Sequence, residues 1–183
     1  YVAQAQRNAI LEALRTAGVV PNDESTWHLL HVEAGQPRFG IDMDEDTIPL
    51  EAGLETDAIS FTKGCYVGQE IIVRMRDRGH GRVAKRLMRL VAAAPDPGPS
   101  PVFAAGAALV ADDREVGRVT SAAWSPRAGR TIGLGYVQRA QAEPGVTLGA
   151  RAGDALVEVR LEPREGDLPN EPEPPSSAAG PSR

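Results

Sequence analysis

The chain has 183 residues, of which 42 % are apolar and 25 % are charged, values that are ordinary for a water-soluble globular protein. Its single cysteine excludes an internal disulfide and fits a reducing compartment, so we expect a cytoplasmic protein. No apolar run approaches the roughly 20 residues of a membrane-spanning helix, so we expect no membrane partner. Because the chain begins at Tyr1, inside a predicted helix, we also expect a fragment of a longer protein.

The first half of the chain predicts two helices. Apolar residues recur near helical spacing over residues 2–17, and Gly18 is suited to end that helix in a left-handed cap. Residues 26–32 fit no single type of element, residues 35–53 are rich in loop formers, and residues 59–61 are a candidate short strand. A second helix is predicted at about residues 67–78, with apolar side chains on one face and arginines on the other.

The second half changes to short β-like runs separated by turn residues. Glycines alternate with larger residues in one of these runs, at places where strands bend or approach closely. About five strands of this kind predict a small antiparallel barrel. They are residues 87–91, 102–110, 116–123, 131–137 and 155–161. The composition then shifts to Pro, Glu, Ser and Gly, which predicts a disordered tail at residues 163–183.

Charge is distributed unevenly along a chain whose net charge is −5. Residues 74–89 are strongly basic and contain one acidic residue, Asp77. A basic segment in an acidic protein indicates an anionic partner, such as an RNA backbone. Four of the arginines are spaced by four residues and would form one basic stripe on a helix; the alternative is a solvated helix face. These arginines are Arg74, Arg78, Arg82 and Arg86.

The segment K-G-C-Y-V-G-Q-E, residues 63–70, carries the single cysteine, Cys65. Cys65 lies just before the second predicted helix, whose N-terminal dipole favours a thiolate, and Lys63 adds a positive charge. Gly64 and Gly68 permit a left-handed backbone or a close approach. The alternative, which the residues alone do not exclude, is that Cys65 is a small buried hydrophobe.

This octet resembles the signature of the YgfZ-type folate-binding family. That family is a branch of the superfamily that includes the glycine-cleavage T-protein, and one of its members is a mitochondrial iron–sulfur assembly factor. Further segments are similar to family motifs: E-A-G-Q-P-R-F-G-I-D-M-D, I-P-L-E-A-G-L, R-G-H and V-G-R-V-T-S. They occupy residues 33–44, 48–54, 78–80 and 116–121, and the resemblance extends over about residues 1–161.

The resemblance implies an α+β fold in three parts. Residues 1–86 would be the C-terminal part of a folate-binding T-protein-like domain, residues 87–162 a small antiparallel β-barrel, and residues 163–183 a tail. It implies tetrahydrofolate or a related folate as the cofactor. It also implies an accessory role in the assembly or repair of iron–sulfur enzymes, including tRNA-modifying ones. The partners would be iron–sulfur client or assembly proteins, with an indirect link to tRNA and none to DNA.

Site residues follow from the same resemblance. Cys65 is implied as the functional thiol, with Lys63 beside it. Trp27 matches a family tryptophan that contacts folate, since an indole stacks on a pterin and offers its N–H; the alternative is a core tryptophan. The other candidate cofactor-binding residues are Tyr66, Gln69 and Arg74. No metal site is predicted, because the pair His28 and His31 lacks further ligands.

Two other functions stay open. The first is a folate-dependent one-carbon transferase that resembles the aminomethyltransferase of the T-protein. The second is an RNA-binding module that uses the basic residues 74–89. Under the main hypothesis the protein is an accessory factor rather than a classical enzyme, and the basic segment meets the glutamate tail of a folate.

Overall fold

The structure is a computed structural model, and it describes residues 2–56, 58–61, 63–77 and 82–164. A short 3₁₀ turn, Gln4–Gln6, leads into helix α1 (Arg7–Thr16), which is followed by α2 (Glu24–Glu33) and α3 (Gln69–Asp77). Over these described ranges, no helix has the length and apolar character needed to cross a lipid bilayer.

In the part of the chain that the structure describes, six strands follow the helices and close into one barrel. Every neighbouring pair is antiparallel, and the order around the barrel is β1-β4-β3-β2-β5-β6. The α+β class and the small antiparallel barrel are therefore confirmed. The strands are β1 (Lys85–Ala92), β2 (Ala108–Ala111), β3 (Arg114–Ser125), β4 (Arg130–Gln138), β5 (Thr147–Ala152) and β6 (Ala155–Glu162).

The first predicted helix and its cap are confirmed. Gly18 has a φ of +82°, and the N–H of Val19 donates to the carbonyl of Leu14 at 3.0 Å, as in a Schellman motif. No residue of α1 is buried, and Ile10 and Leu14 are 37 % and 43 % exposed. The helix therefore presents an apolar face that the described residues do not cover.

The prediction of a strand at residues 102–110 is wrong for most of its length, because only Ala108–Ala111 is extended. Phe103 instead folds inward and is 2 % exposed within the barrel core, while Gly106 turns the chain with a φ of +85°. Strand β5 was not predicted, because its sequence is short and half of it is glycine and alanine.

The candidate strand at residues 59–61 is also wrong. Ile59 packs against a small apolar cluster that contains Leu50, Ile72 and Val83. Residue Ile59 is therefore held by packing of its side chain and not by pairing of its backbone with another strand. Helix α3 begins at Gln69, two residues later than predicted. The R-G-H segment at residues 78–80 lies outside the described residues.

Helix α2 occupies the segment whose type the sequence left open, and it packs on the outside of the barrel. Val32 is 1 % exposed and forms a cluster with Val91 of β1 and Ile132 of β4. This contact places one face of α2 against the barrel and leaves the opposite face in solvent.

The predicted tail differs from the structure at its start. Arg164 is 3 % exposed, and its guanidinium donates to the carbonyls of Ala52 at 2.7 Å and Gly53 at 3.1 Å. A Cβ added at Gly35, whose φ is +66°, would lie 3.0 Å from the Cβ of Arg164. The chain is therefore ordered through Arg164, and the rest of the predicted tail, residues 165–183, lies outside the described residues.

Gly133 tests how tightly the barrel is built. A Cβ at this position would lie 2.6 Å from the carbonyl oxygen of Ser121 and 2.9 Å from the ring of Phe103. We expect Gly133→Ala to lower the free energy of unfolding by about 3 kcal/mol, because a backbone atom must move to accept the methyl group. Urea unfolding followed by circular dichroism measures the change.

Gly98→Ala is the matched control, since a Cβ at Gly98 meets nothing within 4 Å. Its effect should stay within about 0.5 kcal/mol. Equal unfolding midpoints for the two variants would contradict the close approach of strands at Gly133.

Candidate functional site

Trp27 is positioned by a helix with well-formed ends. At the N-terminus of α2, the carboxylate of Asp23 accepts hydrogen bonds from the Thr26 N–H and the Ser25 hydroxyl, both at 2.8 Å. The backbone hydrogen bond from Thr26, assisted by Ser25, lowers the pKa of Asp23 to about 2. At the other end, Gly35 turns left-handed and the N–H of Gln36 donates to the His31 carbonyl at 3.0 Å.

Three polar contacts fix α2 to the barrel. The hydroxyl of Ser125 donates to the Glu33 carboxylate at 2.5 Å, and Arg89 donates to the Glu33 carbonyl at 2.6 Å. A ring nitrogen of His28 lies 3.3 Å from the carbonyl of Ala122. Together with the buried Val32, these contacts set both the position and the rotation of the helix.

Trp27 lies on the open side of α2 and is 48 % exposed, so it is not the core tryptophan of the alternative hypothesis. The ring of His31 packs edge-on against the indole, with centroids 4.8 Å apart and an angle of 78° between the ring planes. His31, one helical turn after Trp27, thus supports the indole ring and leaves its exposed surface available to a flat ligand.

Arg38 follows α2 in the chain, and its side chain contacts the first turn of that helix. Its guanidinium donates to the Glu24 carboxylate at 2.8 Å, and its backbone N–H donates to the Asp42 carboxylate at 3.0 Å. Asp42 is 4 % exposed and also accepts the hydroxyl of Thr120 at 2.6 Å. These partners could not be predicted from residue spacing, because they depend on the path of the loop.

Cys65 is an exposed free thiol, which contradicts the hypothesis of a small buried hydrophobe. It precedes a tight turn at residues 66–69, in which the Tyr66 N–H donates to the Gln69 side chain at 3.3 Å and the Gln69 N–H donates to the Tyr66 carbonyl at 3.4 Å. Gly68 supplies the φ of +86° that this turn needs at its third position. The helix therefore starts four residues after Cys65 and not directly beside it.

The basic residues near Cys65 have different surroundings. The ammonium group of Lys63 lies 4.4 Å from the centroid of the Tyr66 ring, a cation–π contact. Arg74 is exposed on α3, as are Arg82 and Arg86 before and within β1. Lys63 is thus oriented by an aromatic ring, while Arg74 offers its charge to solvent.

Within the described residues, the contacts of the predicted site residues fall into two groups, one around Trp27 on α2 and one within residues 63–70. Among the described residues, the structure records no hydrogen bond, ion pair or ring contact that joins α2 to residues 63–70. Two surface cavities of about 330 and 570 Å³ lie along the barrel strands and loops, and neither is lined by a predicted site residue. The part of the chain that the structure describes contains no cluster of three or more metal-ligating side chains.

The fold and site define a class of protein: a small closed antiparallel barrel with an aromatic-bearing helix fixed to its outer face. Residues 85–164 match the family model described as the glycine cleavage T-protein C-terminal barrel domain. The chain therefore contains that domain and carries the C-terminal part of a T-protein superfamily protein. The comparisons do not separate the YgfZ-type branch from the rest of this superfamily.

Similarity to known proteins extends beyond the barrel residues. An aminomethyltransferase of Streptomyces coelicolor is 34 % identical over 138 residues, which cover 75 % of this chain and 36 % of that protein. A chloroplastic protein of Arabidopsis thaliana, named as a candidate transferase, is 29 % identical over 82 % of this chain and 33 % of its own. The chain thus spans about a third of the length of these curated relatives.

A solved structure supports the fold. The glycine cleavage system aminomethyltransferase T of Bartonella henselae superposes with a TM-score of 0.64 at 21 % identity. The match covers 74 % of this chain and 36 % of that one. It therefore includes residues outside the barrel and shows that they share the fold as well.

The Asp23 cap predicts an acid-dependent change in stability. Because the folded-state pKa of Asp23 is about 2, below its ordinary value of 3.8, its contribution is complete above about pH 5 and is lost as the pH falls through 2. Asp23→Asn keeps an acceptor oxygen but does not titrate. We expect the unfolding midpoints of the two proteins to converge as the pH falls from 5 to 2, measured by urea unfolding. A constant difference would contradict the cap.

Proposed function

We propose that this chain is part of a folate-dependent protein of the T-protein type, which binds tetrahydrofolate against Trp27 and takes part in one-carbon transfer. The observation that carries the proposal is the half-exposed indole of Trp27, braced by His31 on a helix fixed to the barrel. The aminomethyltransferase relatives favour one-carbon transfer over the accessory role that the octet implies.

The residues present fit a folate in two respects. Trp27 offers an aromatic face to a pterin ring, and an indole also carries an N–H donor. Its helix cannot rotate freely, because Val32 and Glu33 tie it to the barrel. A bound folate would supply the one-carbon chemistry, while the contribution of this chain is to bind the ring and fix its orientation.

A second candidate is the accessory role in iron–sulfur enzyme assembly or repair, in the cytoplasm, through Cys65. The exposure of Cys65 favours it, since a thiol that acts on a partner protein has to be accessible. One cysteine cannot hold a conventional cluster with four protein thiolates. Cys65 would therefore act together with ligands of the client or assembly protein.

The RNA-binding hypothesis receives less support from the contacts. Arg89 donates to the carbonyl of Glu33, and the ammonium of Lys85 lies 3.8 Å from the Glu51 carboxylate and over the Tyr136 ring at 4.8 Å. Two members of the basic segment therefore already have partners within the fold, which reduces the charge available to a phosphate backbone.

Substitution of Trp27 tests the folate proposal. We expect Trp27→Ala to weaken tetrahydrofolate binding about 5- to 150-fold, because stacking of a heterocycle on an aromatic side chain contributes on the order of 1–3 kcal/mol. Isothermal calorimetry on the protein as the cell produces it measures the affinity without relying on tryptophan fluorescence.

Trp124→Phe is the matched control for the loss of an indole, because Trp124 belongs to strand β3 of the barrel. Its affinity should equal that of the unaltered protein. Unchanged binding in Trp27→Ala would remove Trp27 from the site, and absence of binding in the unaltered protein would overturn the proposed function.

Cys65→Ser separates the two candidate functions. If the protein is a one-carbon transferase, we expect turnover of tetrahydrofolate with an aminomethyl donor to stay within about twofold, since no step of that chemistry needs the thiol. If the accessory role holds, the variant loses the restoration of iron–sulfur enzyme activity in cells that lack the native protein. Full restoration by Cys65→Ser would contradict the accessory role.

A further inference from the structure

The guanidinium of Arg38 has an unused capacity to form hydrogen bonds. One terminal nitrogen donates to the Glu24 carboxylate at 2.8 Å, while the other, Nη1, is buried and has no hydrogen-bond partner among the described residues. Buried donors are almost always paired in folded proteins, because an unpaired one loses its hydration without compensation. The half-used guanidinium therefore needs an explanation.

Arg38 lies along the same side of α2 as the Trp27 site. Glu24, Trp27 and His31 are spaced by three and four residues, so they share one side of the helix. Because Arg38 follows the C-terminus of α2 but bonds to Glu24 in its first turn, its side chain and loop run back along that side. The Nδ1 atom of His31 is likewise buried without a partner among the described residues.

The two members of the Arg38–Glu24 ion pair are held very differently. The backbone of Arg38 is fixed by Asp42, which is itself tied to the barrel through Thr120. The side chain of Arg38 is 22 % exposed, whereas that of Glu24 is 75 % exposed. An exposed ion pair of this kind contributes little to stability, so the Glu24 carboxylate is the part that exchanges easily.

We propose that Arg38 binds a carboxylate of the glutamate moiety of a folate whose ring stacks on Trp27, and that Glu24 occupies this position in the absence of ligand. The inference rests on the proposed folate binding. A carboxylate matches the planar fork of a guanidinium and accepts two parallel hydrogen bonds. A rotation of the guanidinium that releases Glu24 would bring the buried nitrogen outward, so that the incoming carboxylate binds both terminal nitrogens.

Two ligands separate this role from stacking. Tetrahydrofolate carries the glutamate moiety, whereas 6-methyltetrahydropterin has the same reduced ring system without it. We expect Arg38→Gln to weaken the binding of tetrahydrofolate about tenfold, which is the loss typical of a charge-assisted bidentate contact. The affinity for 6-methyltetrahydropterin should stay unchanged. Arg38→Lys, which keeps the charge but not the fork, should give a smaller loss. Calorimetry on the protein as the cell produces it measures all affinities.

Glu24→Gln makes the opposite prediction. Removal of the competing carboxylate should strengthen tetrahydrofolate binding by about threefold and should leave the affinity for 6-methyltetrahydropterin unchanged. Arg118→Gln is the matched control, because Arg118 also forms an exposed ion pair, at 2.9 Å with Glu115, on a different part of the barrel. It should change neither affinity, and unfolding midpoints confirm that each variant is folded.

Each result decides the proposal. If Arg38→Gln weakened the binding of both ligands equally, Arg38 would only support the shape of the site, and its role in binding the carboxylate would be overturned. Unchanged tetrahydrofolate binding in Arg38→Gln, with weakening in Trp27→Ala, would overturn the role of Arg38 and leave folate binding intact. Weaker tetrahydrofolate binding in Glu24→Gln would overturn the exchange with Glu24. Failure of the unaltered protein to bind either ligand would overturn folate binding and this inference together.

Discussion

The packing of helix α2 on the outer face of the barrel is the contact on which the candidate site depends. A ten-residue helix is marginal in water by itself, so its order has to come from tertiary packing. Burial of Val32 between Val91 and Ile132 contributes about 1.5–3 kcal/mol, and the contacts of Glu33 with the barrel add charge-assisted hydrogen bonds. Trp27 owes its fixed position to this contact, although it does not touch the barrel core itself.

A second set of contacts holds the chain that follows α2. The carboxylate of Asp42 is nearly excluded from water, and such a group stabilises the fold only if it is paired; here Arg38 and Thr120 supply the donors. At the end of the last strand, Arg164 satisfies two carbonyls of the same loop-rich stretch. The stretch at residues 35–53 is therefore held at both ends by buried polar contacts, through Asp42 to the barrel and through Ala52 and Gly53 to Arg164.

The parts of the fold with one clear periodicity were predictable, and the parts decided by tertiary contacts were not. Helix α1 and most barrel strands follow from regular apolar spacing. Helix α2 does not, because its apolar residues surround the helix instead of forming one stripe, although its capping residues, Asp23 and Gly35, were visible in the sequence. Sequence motifs likewise singled out Trp27 and Cys65, whereas the position of Arg38 beside α2 depends on a loop path that no spacing encodes.

The two groups of site residues differ in how firmly they are held, and this difference matters for what each can do. Trp27 lies on a helix fixed by apolar and polar contacts to a closed barrel, whereas Cys65 precedes a helix that is anchored through Ile72 in a small cluster with Leu50 and Val83. Elements with few buried contacts open locally at lower free energy than the core. Ring stacking requires a preorganised surface, while a thiol that meets a partner protein gains from a segment that adjusts. The anchoring of the chain therefore suits α2 to the ligand positioning that we propose, and it suits the segment around Cys65 to the partner contact of the second candidate function.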